Sequence, residues 1–90
     1  GGGIAEIAGR LLRRLGDARQ VLCVTHLPQV AAQANRQLRV QKQAIDGQTY
    51  TEIQPLDEAQ RIDEIARMLG GTEITDTTRA HAAEMLSIAS

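Results

Sequence analysis

Thr25 and His26 are the residues best placed to do chemistry in this chain. They close the apolar run Val21–Val24, and Pro28 follows two residues later. The run reads as a buried strand, and a proline suits the first turn of a new helix. In an open α/β sheet, ligands gather at the carboxyl ends of the strands. A histidine there gives or accepts a proton near neutral pH. The same residue after a strand also serves as a hydrogen-bonded structural group, so His26 carries both readings.

Other constellations are sparse. Cys23 and His26 could open a zinc site, but zinc takes four protein ligands, or three plus water. His81 is the one other histidine and there is no second cysteine, so no metal site is expected. His81 and Glu84 share a helix face in the manner of an ordinary surface pair. No Gly-x-Ser-x-Gly elbow occurs, and no carboxylate pair stands out from the surface charge. A Gly-x-x-x-x-Gly-Lys-[Ser/Thr] loop is absent, and with it the phosphate-binding lysine and magnesium-binding hydroxyl. Nor does an apolar strand end in paired acidic residues that would bind magnesium and position water. The chain by itself is not expected to hydrolyse a nucleotide.

The elements that must position His26 follow from periodicity. Ile4, Ile7, Ala8, Leu11, Leu12 and Leu15 mark one face of a first helix that Gly16 stops. Arg10, Arg13 and Arg14 fall on the opposite face, read as solvated rather than phosphate-binding. The strand Gln20–Thr25 comes next, then a short helix from Pro28 to about Ala34. Residues 37–54 read as extended, with Asp46-Gly47 as a hairpin turn and Leu38 and Val40 on the dry face of a sheet. The second arm suits an edge strand.

Pro55 breaks the extended run, and Asp57 with Gln60 resembles a capping box. Ala59, Ile62, Ile65, Ala66 and Leu69 make the buried stripe of the next helix. Gly70-Gly71 ends it, with one glycine in the left-handed cap conformation. A last helix from about Thr77 to Ile88 turns Ala82, Met85, Leu86 and Ala89 inward.

Ninety residues make one small domain with a marginal core, burying about 60–65% of the unfolded surface. Ten basic and eleven acidic residues give a net charge of −1, so no strong field favours nucleic acid or a membrane. Tyr50 is the sole aromatic, which excludes a base-stacking platform. Cys23 excludes an internal disulfide, and its apolar neighbours favour a buried, inert thiol. No apolar run spans a bilayer, and no secretory signal opens the chain. It opens instead on three glycines without a methionine, so a piece of a longer polypeptide is expected.

The string Val24-Thr-His-Leu-Pro-Gln-Val-Ala-Ala-Gln-Ala34 resembles the H-loop, or switch, of ABC-type ATPase heads in the form found in the SMC-related RecN family. Gly1-Gly2-Gly3-Ile4-Ala5-Glu6-Ile7-Ala8-Gly9-Arg10-Leu11-Leu12 is similar to the end of that family's D-loop and the helix after it. Ile65-Ala66-Arg67-Met68-Leu69-Gly70-Gly71, followed by Thr75, Thr78, His81-Ala82 and Glu84-Met85-Leu86, resembles its C-terminus. Three blocks in the right order cover nearly the whole chain.

The resemblance implies that residues 1–90 are a single partial domain, the C-terminal lobe of an α/β P-loop NTPase head. An incomplete sheet, flanking helices and a β-hairpin would make up the lobe. It further implies a function in DNA double-strand break repair and recombination, in the bacterial cytoplasm at the nucleoid. His26 would be the catalytic residue that reaches the γ-phosphate region of ATP, with Thr25 and Gln29 as its support. Gly1 and Gly2 would lie at the interface with a second head. ATP with Mg2+ would bind the intact protein and not this chain alone. The partners implied are the missing N-terminal part of the same head, a second head in a homodimer, and DNA held by the whole assembly.

Two alternatives stand beside it. One is a stand-alone α/β interaction module with no nucleotide chemistry and a structural His26. The other is a different SMC- or RecF-like head, which would not be expected to share the Leu69-Gly70-Gly71 to Leu86 ending.

Overall fold

Helices and one antiparallel hairpin make up the computed structural model, which describes residues 2–71 and 73–89. The order is α1 (Gly2–Leu15), α2 (Pro28–Ala31), β1 (Leu38–Ile45), β2 (Gln48–Pro55), α3 (Glu58–Gly70) and α4 (Asp76–Ala89). This is an α/β arrangement whose sheet has two strands. Among the described residues, no helix is long and apolar enough to cross a membrane.

The elements with strong local signals form as the sequence predicts. Asp57 Oδ1 accepts from Gln60 N at 2.8 Å, and Gln60 Oε1 accepts from Asp57 N at 2.9 Å, so a full capping box starts α3. Thr75 Oγ1 accepts from Thr78 N at 3.1 Å and starts α4 just ahead of the expected boundary. Asp46 and Gly47 take φ of 52° and 78°, the two positive values that a type I′ turn requires. They pair Val40 with Ile53 and Gln43 with Tyr50 across the hairpin. Gly71 ends α3 at φ 77° and ψ −126°, a glycine conformation outside the left-handed helical cap expected there.

The core lies between α2, α3 and α4. Ile65, Ala66 and Ala82 are fully buried, with Ala31 and Ala32 from the end of α2 joined to them. Ile62, Leu69, Met85 and Leu86 pack around this centre. Ala59, in the first turn of α3, stays exposed.

Four expectations fail, and for related reasons. Residues 20–25 do not form a strand: they run without a ladder partner, with Leu22 82% and Val24 95% exposed. A strand needs a neighbour's backbone to satisfy its own polar groups. Among the described residues, β1 and β2 pair only with each other. Cys23, on the same run, is therefore exposed rather than buried.

The apolar stripe of α1 is also bare: Ile4, Ile7, Leu11 and Leu15 are all exposed and only Leu12 is half-buried. The helix buries Ala5 and turns Gly9 onto α2 instead, and hides Arg13 in part. A Cβ at Gly9 would lie 3.0 Å from Gln29 O and 3.2 Å from Val30 Cα, so only glycine permits this approach. The hairpin, finally, has no dry face, because Leu38, Val40 and Ile53 are all exposed.

Candidate functional site

The Thr25-His26 pair lies on a sharp turn between the unpaired run and α2. Thr25 Oγ1 accepts a hydrogen bond from the Leu27 backbone N–H at 3.0 Å, which folds the chain back over one residue. Leu27 is the N-cap of α2, with φ −96° and ψ 118° and no side-chain cap. Pro28, buried, supplies the first helical position, where a missing N–H costs nothing. His26, between them, is exposed and makes no hydrogen bond or ion pair among the described residues. A solvated imidazole with both nitrogens free can orient water or donate to an anion.

Gln29 sits half-buried on the first turn of α2, where its carbonyl faces Gly9 of α1. Gly2 is the first residue of α1, and Gly1 lies outside the described residues. Thr25 and His26 share the turn, and Gln29 follows on the first turn of α2. Gly9 of α1 meets α2 at Gln29 and Val30.

The far end of α2 is held by two guanidinium groups: Arg61, which sequence reasoning did not single out, and Arg13, which it placed on a solvated face. Arg61 Nη2, from α3, donates to the carbonyls of Ala31 at 3.1 Å, Ala32 at 3.4 Å and Ala34 at 2.5 Å. Its Nε donates to Gln37 Oε1 at 3.1 Å. Arg13 Nη1, from α1, donates to the Gln33 carbonyl at 2.7 Å. Burial, and after it the Arg13 charge, lowers the Arg61 pKa below its ordinary value. The sequence did hold a signal: Arg61 stands four residues before the fully buried Ile65, on the flank of the core stripe.

Among the described residues, no three His, Cys, Asp or Glu side chains come together.

With the turn built, comparison with known proteins becomes informative. The chain is 54% identical over 85 residues to the DNA repair protein RecN of Vibrio cholerae, covering 94% of this chain and 15% of that protein. It is 47% identical over 87 residues to RecN of Haemophilus influenzae, covering 97% and 16%. To RecN of Bacillus subtilis it is 42% identical over 85 residues, covering 94% and 15%. No family model matches the chain.

What the fold and these matches define is an α/β segment of a much larger protein type, since the chain spans only 15 or 16% of the relatives' length. The chain belongs to the RecN family, as part of its C-terminal region.

Proposed function

We propose that the chain is the C-terminal lobe of a RecN-like ATPase head that acts in DNA double-strand break repair and recombination, with His26 as its H-loop histidine. One observation carries the reading: His26 stands exposed and unpartnered where a bare apolar run meets a helix start. A structural histidine would be expected to hold something, and this one makes no hydrogen bond among the described residues. Similarity over 94–97% of this chain to 15–16% of RecN proteins favours a lobe of a larger head over the stand-alone module.

The exposed apolar surface supports an intramolecular partner. Burying large side chains such as Ile4, Ile7 and Leu11 contributes about 1.5–3 kcal/mol each, a strong drive to find cover. Residues 20–25 carry both apolar side chains and unpaired backbone, the requirements of a strand awaiting neighbours. In the proposed head, the N-terminal part of the same protein provides that sheet and covers the α1 stripe.

His26 then acts by position. Phosphoryl transfer leaves little covalent work for a protein, so rate comes from orienting water and answering negative charge as it grows. Thr25 fixes the turn that carries the imidazole, and Gln29 flanks the site from α2. Gly1 and Gly2 precede or open α1 and would face a second head. DNA is held by the assembled protein. In this reading the ligands for Mg2+ come from the rest of the head.

Photolabelling tests this directly. An ATP analogue with an aryl azide on its γ-phosphate, bound to the full-length protein and irradiated, is expected to label the tryptic peptide Gln20–Arg36. Labelling confined to other peptides would remove His26 from the nucleotide.

A further inference from the structure

We infer that Arg61 is the residue that positions the His26 turn, an inference that rests on the reading of His26 just given. Helix α2 has four residues, too few to satisfy its own carbonyls. It has no side-chain cap at its start and is anchored at its end. There Arg61 collects three carbonyls and the Gln37 amide oxygen, while Arg13 takes the carbonyl left between them. His26 lies five residues before Ala31 along the chain, so a shift at the anchored end passes through a single helical turn to the imidazole.

The chemistry of the anchor is unusual. Arg61 has only neutral acceptors: among the described residues no carboxylate joins it, and Arg13 adds like charge. A part-buried cation without a counter-ion persists because its hydrogen bonds to carbonyl oxygens are charge-assisted. Its planar guanidinium sends Nη2 to the three carbonyls and Nε to Gln37 Oε1 at once. A lysine ammonium is a point donor on a flexible stem and would not hold both sets in fixed geometry. Arg61 thereby ties α3 to the far end of the helix whose start carries His26, from 27 to 30 residues away in sequence.

Arg61→Lys in the full-length protein separates this role from simple stability, with Arg61→Ala as the harsher variant. Misplacing a positioned group lowers turnover steeply, so kcat for ATP hydrolysis is expected to fall about tenfold with KM little changed. Amide exchange over residues 29–34 is expected to quicken while the remainder of α3 keeps its protection. In a His26→Ala background, Arg61→Lys is expected to cause no further loss of kcat. Unchanged exchange over 29–34, or a full additional loss in the His26→Ala background, would overturn the positioning role. If His26→Ala alone leaves turnover intact, the reading of His26 fails first and the inference falls with it.

Discussion

Replacing His26 with alanine in the full-length protein is expected to lower ATP turnover about 100-fold or more while leaving nucleotide binding largely intact. Removing one preorganised donor from a developing negative charge costs about 10²–10³ in kcat in well-studied sites. Little of that loss should come from unfolding. His26 is exposed and makes no hydrogen bond among the described residues, and exposed substitutions of this kind fall within about 0.5 kcal/mol of neutral. Steady-state kinetics and a thermal melt on the same preparation separate the two effects. Turnover within twofold of the parent protein would remove His26 from the catalytic machinery.

The largest effect on stability is expected at Ile65. It is the largest side chain with no exposure, and its neighbours in the core are Ala31, Ala32, Ala66 and Ala82. The alanines cannot fill the hole left by Ile65→Ala, whereas Met85 and Leu86 packed around them can close part of it. The cost is then expected within the usual range of about 2–5 kcal/mol. A small domain has about 5–15 kcal/mol in all, so this one change removes a large share. Urea denaturation followed by circular dichroism checks it. A loss below about 1 kcal/mol would mean that the core between α3 and α4 is not where the fold is held.

The features that could be read from the sequence are those decided within a few residues. Asp57 and Gln60 cap α3 because each needs only the other, and Asp46-Gly47 turns the hairpin because both residues tolerate positive φ. Ile65, Ala66 and Ala82 were legible as core because helical spacing alone puts them inward. Periodicity also found the stripe of Ile4, Ile7 and Leu11, but it cannot say what covers a stripe. In this chain α1 meets α2 through Gly9, and the stripe stays open.

The run before His26 fails in the same way, since an apolar strand is made by its neighbours as much as by its own residues. Arg61 was missed because its partners lie far back in the sequence. Its spacing to Ile65 put it beside the core stripe, but no local pattern names the helix end that a guanidinium caps. The turn at His26 was legible in part: Pro28 gave away the helix start, while the hydrogen bond from Leu27 to Thr25 needed coordinates.

Backbone amide exchange at Val21–Thr25, measured side by side in the isolated chain and in the full-length protein, bears most directly on whether this segment is one lobe of a larger head. In the isolated chain these amides have no ladder partner and should exchange at nearly the unprotected rate. In the full-length protein the run should become a strand beneath His26, slowing exchange by about 1,000-fold or more, as in core strands. Equally fast exchange in both would contradict the proposal, because His26 would then have no sheet to hold it at a nucleotide.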